Sequence, residues 1–111
     1  MTEGQFQTGL IKDIKDIFPN CVVLKNDAGY IQGIPDLLIL HKNKWAALEV
    51  KKSLQAPFQP NQKHYIDELD AMSYASFVCP ENKREVLDEL QHALTSRRST
   101  RISQRQQVSL D

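Results

Sequence analysis

Apolar residues recur at three-to-four spacing near the start of the chain: Phe6, Leu10, Ile11, Ile14, Ile17 and Phe18. That period puts them on one face of a helix of about four turns. Thr2, with Gln5 three residues on, has the form of a capping box at its start, and Pro19-Asn20 ends it. The apolar run 21–24 predicts a short buried strand, and Asn26-Asp27-Ala28-Gly29 a turn. Two further apolar runs, Leu37-Leu38-Ile39-Leu40 and Trp45-Ala46-Ala47-Leu48, are separated by the polar connection Lys42-Asn43-Lys44. This predicts an antiparallel hairpin of strands near 36–41 and 45–51, approached through Gly33 and Pro35. Residues 53–59 form a loop, and Pro60 suits the entry to a second helix with a stripe of Gln62, Tyr65, Ile66, Leu69 and Met72. A fourth strand follows at 74–79, closed by Pro80, and Val86, Leu87, Leu90, Ala93 and Leu94 mark a third helix. From Thr95 onward there is little to bury, so the tail is expected to be extended. The predicted order is α-β-β-β-α-β-α, an α/β fold with a small mixed sheet flanked by helices. Residues 1–96 make one domain and 97–111 an Arg-rich, flexible tail.

Composition narrows the class. A chain of 111 residues, 41% hydrophobic and 25% charged, is an ordinary water-soluble single domain. It contains no apolar run approaching the eighteen or so residues of a membrane helix, and Met1-Thr2-Glu3-Gly4-Gln5 lacks the pattern of a secretory leader. A cytoplasmic protein with no membrane partner is expected. Cys21 and Cys79 sit beside apolar residues without metal spacing and are expected to be buried reduced thiols. His41, His64 and His92 show no ligand spacing and are assigned to surface or packing roles.

The zero net charge is unevenly placed. Residues 1–96 carry ten Lys and Arg against thirteen Asp and Glu, whereas 97–111 carry Arg97, Arg98, Arg101 and Arg105 against Asp111. This is not a globally basic nucleic-acid binder. A polyanion would be held locally, at a metal site and by the tail.

The chemistry lies at the ends of the hairpin. Asp36 begins its first strand, and Glu49-Val50-Lys51 ends its second. Asp36 and residues 49–51 are equidistant from a turn centred near Asn43, and strand alternation points Glu49 and Lys51 the same way, with Val50 turned to the opposite face. Two acids and a lysine on one wall, at the ends of apolar strands, need a neutralising partner. Such hard oxygen ligands suit Mg²⁺ or Mn²⁺, with Lys51 orienting a water or balancing charge. The plainer alternative is a surface hairpin with a Glu–Lys pair. Gln62 shares the inward stripe of the second helix and needs a polar partner there; local backbone is the alternative to the site. Glu3, in the first turn of the first helix, either reaches the metal or complements the helix dipole.

Gly33-Ile34-Pro35-Asp36, Glu49-Val50-Lys51 and Pro60-Asn61-Gln62 resemble the motifs of VRR-NUC (virus-type replication-repair nuclease) domains of the PD-(D/E)XK superfamily. The resemblance spans about residues 3–94. It implies a restriction-endonuclease-like core and a metal-dependent phosphodiesterase acting on DNA. Asp36, Glu49 and the Val50 carbonyl oxygen would be ligands of Mg²⁺ or Mn²⁺, Lys51 the catalytic lysine, and Gln62 the helix residue completing the site. Glu3 maps near an acidic position that members often carry in the first helix. Members consisting of this domain alone are similar to phage proteins that dimerise and cut four-way (Holliday) junctions. The expectation is therefore a homodimeric, branch-selective endonuclease of a phage or bacterial host cell interior, its two-fold supplying paired incisions.

DNA contacts are expected from Lys25 and Asn26 beside the turn, from Lys52, Gln55 and Lys63 around the site, and from Tyr30, which would stack on an unpaired base. Each such residue is more often simply a solvated loop residue. The arginine tail either adds salt-sensitive affinity or is idle. Two competing functions are a nuclease of other specificity (flap, nick or restriction type) and a non-catalytic DNA-binding or assembly module.

Overall fold

Among the residues that the computed structural model describes, 1–27 and 29–95, three helices and four strands follow one another. They are α1 (Glu3–Ile17), β1 (Val22–Lys25), β2 (Leu37–His41), β3 (Lys44–Val50), α2 (Gln62–Met72), β4 (Tyr74–Val78) and α3 (Lys83–Thr95). The order and the mixed sheet are those the periodicity predicts. The Arg-rich segment 97–111 lies outside the described residues.

Strands are arranged β1-β2-β3-β4. The first two pairings are antiparallel. β4 joins β3 in parallel, which needs a crossover long enough to hold a helix, and α2 fills it. The β2–β3 register pairs His41 with Lys44 and Leu37 with Leu48. The connection is thus just Lys42-Asn43, with Lys42 at φ 57°.

Alternation then sorts the sheet into two faces. On one, Leu37, Ile39, Ala46, Leu48, Val50 and Val78 pack against Phe6, Leu10 and Ile14 of α1, the adjoining Phe18, and Val86, Leu90 and Leu94 of α3. On the other, Ala47 and Ala75 meet Ile66 of α2, with Trp45, Leu69 and Phe77 around them. The larger core therefore lies on the α1–α3 side, and the smaller face under α2 is the one left partly open.

At the start of α1 the capping box is formed: Gln5 N–H donates to Thr2 Oγ1 at 3.1 Å, and Thr2 N–H to Gln5 Oε1 at 2.9 Å. Two expectations are corrected. β1 is not a buried strand, since Val22 and Leu24 are exposed. It is the sheet edge, and α2 packs over β3 and β4, out of reach of its outer side chains. Met72, at the last residue of α2, is half exposed rather than part of the inward stripe. Pro60 stands at the entry to α2, directly before the N-cap Asn61, as expected. Both cysteines are free, Cys79 buried and Cys21 only partly so. Among the described residues no helix is long and apolar enough to cross a membrane.

Truncating the buried Leu90 to Ala should lower the unfolding free energy by about 2–5 kcal/mol, against about 1 kcal/mol for Thr2→Ala at the helix cap. Urea titrations measure both. Equal, small losses would mean that α3 does not close the main core.

Candidate active site

Continuing the β2–β3 register one step past the Leu37–Leu48 pair sets Asp36 opposite Glu49. Residues directly opposite share a face, and here it is the face of Ala47, under α2. Lys51, two residues beyond Glu49, follows on that face. Each acid has one anchored oxygen. Asp36 Oδ2 accepts the Val50 backbone N–H at 3.0 Å, and Glu49 Oε2 accepts Gln62 Nε2 at 2.7 Å. The Gln62 amide is oriented from behind, because its Oε1 accepts the Gln59 N–H at 2.7 Å. Its NH₂ is thereby left to face Glu49.

Burial makes these contacts consequential. Glu49 is 4% exposed and Lys51 5%. Glu49 Oε1 is buried and has no hydrogen-bond partner. Lys51 Nζ donates to the Pro57 carbonyl at 2.9 Å and lies 4.3 Å from the centroid of the Phe58 ring. That ring stands edge-on to Phe77, with centroids 5.7 Å apart. The loop after β3 thus folds back to hold the ammonium at its end.

Both carboxyls lie above their ordinary range. Glu49 is pushed up to about 8, first by burial and then by the charge of Asp36; Lys51 and the Asp36 backbone oppose the shift, and Glu3 adds to it. Asp36 is raised by burial, against the Val50 N–H, Glu49 and Lys51, which pull it down. Two adjacent carboxyls, Glu49 buried and Asp36 half-buried, resist ionising together, so at neutral pH the pair retains a proton where a cation would otherwise sit. The unpartnered Glu49 Oε1, which costs about 1–3 kcal/mol if left unsatisfied, fits a divalent ion. Among the described residues no three His, Cys, Asp or Glu side chains come together. A cation here would have two carboxylates and take the rest of its shell from backbone oxygen and water, an arrangement that suits Mg²⁺ or Mn²⁺.

The approach to Asp36 is fixed by backbone. Asn26 N–H donates to the Asp36 carbonyl at 2.8 Å, and Asn26 Nδ2 to the Pro35 carbonyl at 2.7 Å. Gly33, at φ +91°, lies against the entry of α2: a Cβ there would come 2.6 Å from Asn61 Cβ and 2.8 Å from the Pro60 oxygen. Only glycine accepts both the conformation and the contact. The segment carrying Asp36 and the turn preceding Gln62 therefore brace one another.

Asp36, Glu49, Lys51 and Gln62 are brought together as the sequence suggests. Val50 contributes its N–H to Asp36, and its carbonyl lies between Glu49 and Lys51 at the strand end. Glu3 is exposed in the first turn of α1 and acts on Glu49 through its charge without completing a group of three acids. Lys25 and Lys52 are exposed, and Asn26 is drawn into the Pro35–Asp36 segment. Lys63 is paired on the helix surface with Asp67 at 3.1 Å. Tyr30 is 84% exposed. Pro57, Phe58 and Gln59 escape the sequence reading. They sit in an irregular loop with no periodicity, and only the Phe58 aromatic between two prolines marks them.

No protein-family model, curated protein or solved structure matches the chain. The likeness to VRR-NUC domains rests on the motifs themselves.

The raised Glu49 predicts a stability slope of definite sign. Between its ordinary 4.5 and about 8 the folded protein holds a proton that the unfolded chain has released, so stability falls as pH rises through that window. Without divalent ions, denaturant midpoints should drop from pH 5 to pH 9 by the equivalent of a few kcal/mol. Glu49→Gln should remove most of that drop, Asp36 accounting for the remainder. A wild-type profile that is flat or rises would contradict the raised Glu49.

Proposed function

We propose that this protein is a Mg²⁺- or Mn²⁺-dependent endodeoxyribonuclease of the PD-(D/E)XK type, similar to VRR-NUC domains. The observation that carries the reading is the Asp36–Glu49 pair, half-buried and buried, with one unpartnered Glu49 oxygen, set beside a buried lysine on the same face. A structural ion pair would bring the ammonium to a carboxylate. Here Lys51 is held by the Pro57 carbonyl and the Phe58 ring instead, which leaves the acids to a different cation.

Asp36 and Glu49 would hold that cation, with the Val50 carbonyl oxygen as a third ligand by resemblance. Bound there, it would supply Lewis-acid stabilisation of the charge developing on the phosphoryl group and make an adjacent water more acidic. Gln62 keeps Glu49 aimed by donating to one oxygen while leaving the other available. Lys51 presents a fixed positive charge from the same face, suited to orienting the attacking water and to balancing the pentacovalent phosphate's extra charge. The Val50 N–H holds Asp36 against rotation. Selectivity for four-way junctions or other branched DNA, and a homodimer making paired incisions, complete the proposal and follow from the resemblance.

Labelled linear duplex, flap, fork and four-way-junction DNA, incubated with Mg²⁺, Mn²⁺ or chelator, provide the test. Cutting should need the metal and fall about 100-fold or more in Lys51→Ala and Asp36→Asn. Full activity in either variant, or cutting in chelator, would overturn the mechanism. Cutting of flaps but not junctions would remove the junction assignment alone, and a monomer by light scattering would remove the paired-incision model.

A further inference from the structure

The two loops that flank the acid pair carry apolar side chains in water. Tyr30 is 84% exposed and Ile31 36% on the loop before β2; Leu54 is 51% exposed and Phe58 42% on the loop after β3. The loops meet where Gly33 lies against Pro60 and Asn61, so they form one rim rather than two independent excursions. Exposed apolar groups on two adjoining loops mark a binding surface. Phe58 is the most informative of them. It covers the Lys51 ammonium and is steadied edge-on by Phe77, yet it keeps nearly half of its surface in solvent.

Building on the nuclease reading, we infer that this rim binds an unpaired nucleobase next to the scissile phosphate, so that the substrate is DNA with unpaired bases at the cut. A base inside continuous duplex has both faces covered by its neighbours and offers only its edges in the grooves. An aromatic face can be used by a base only once that base has left the stack. Because Phe58 sits over Lys51, a base stacked on it belongs to a nucleotide whose phosphate neighbours the acid pair.

Charge favours the same class of substrate. Residues 1–96 carry an excess of acids, thirteen against ten, and two of the thirteen, Asp36 and Glu49, occupy the centre of the site. Affinity for duplex comes chiefly from phosphate neutralisation, and of the cations near the rim Lys63 is already paired with Asp67. Base–aromatic stacking contributes about 1–3 kcal/mol per base whatever the sequence. Two such contacts outweigh the few free lysines at the rim.

The test is a binding measurement that does not depend on hydrolysis. A 12-nucleotide single strand with a central 2-aminopurine, and the same strand in duplex, would be titrated with the full chain in EDTA and again in Ca²⁺. The single strand should bind at least about ten-fold more tightly than the duplex, with 2-aminopurine fluorescence quenched by stacking. Phe58→Leu and Tyr30→Leu should each weaken single-strand binding by roughly five- to 100-fold and change duplex binding less than two-fold. Phe58→Trp should restore it. Tyr30 is too exposed to matter for folding, so its leucine variant should melt like wild type; leucine at 58 keeps an apolar cover on Phe77 but removes the ring over Lys51, so Phe58→Trp, which restores a ring, is the control for that position. Equal affinity for both DNAs, single-strand binding untouched by the leucine variants, or no binding in either buffer would overturn the inference. Base-dependent binding without metal-dependent cutting would leave the base-binding rim standing and remove the nuclease reading with its cut-site placement; cutting with no such preference would remove the rim and leave the nuclease.

Discussion

Asp36 and Glu49 face each other across β2 and β3, and neither the apolar wall around them nor the other's charge lets both ionise at little cost. That constraint is set by register. Once Leu37, Ile39, Ala46 and Leu48 are committed to the main core, the hairpin pairing carries the two acids onto the opposite face together. A slip of one residue would turn the apolar set outward and separate them. The packing that stabilises the domain is therefore the same packing that forces the acid pair. The surrounding structure manages the result: Val50 holds Asp36, Gln62 holds one oxygen of Glu49, and the second oxygen is left unpaired.

The entry of α2 is where the site is held in shape. Gln59 orients Gln62, Gln62 orients Glu49, and the Pro60–Asn61 turn presses on Gly33 just ahead of Asp36. Both carboxylates are thus referenced to one short stretch of chain. Lys51 is held by its own loop, through Pro57 and Phe58. This places a positive charge near the acids without neutralising either by direct contact, the condition under which a separate cation has something to bind.

Much of this was legible in the sequence, for identifiable reasons. Helical stripes and the capping box at Thr2 and Gln5 located the helices, because their periods are long and their apolar residues many. The hairpin was visible in two apolar runs around Lys42-Asn43-Lys44, and its symmetry brought Asp36 near residues 49–51; the register that sets Asp36 opposite Glu49 belongs to the folded chain. Gln62 was identifiable as a polar residue on an inward stripe. β1 misled because a run of Cys21, Val22, Val23 and Leu24 looks the same in a buried strand and at a sheet edge; only the arrangement of α2 distinguishes them. Pro57, Phe58 and Gln59 were hidden because their roles depend on where an irregular loop returns, and a loop has no period to show it. The Gly33 contact with Asn61 joins residues 28 positions apart, and only the folded chain brings them together.

Titrating ¹⁵N-labelled protein with Mn²⁺ and following its amide spectrum tests the metal site most directly. If the acid pair holds the ion, substoichiometric Mn²⁺ should broaden the amides of Asp36, Glu49, Val50, Lys51 and Gln62 first, and Glu49→Gln should abolish that selectivity. Broadening centred instead on exposed acids such as Asp67 and Glu68, or unchanged in Glu49→Gln, would contradict the account.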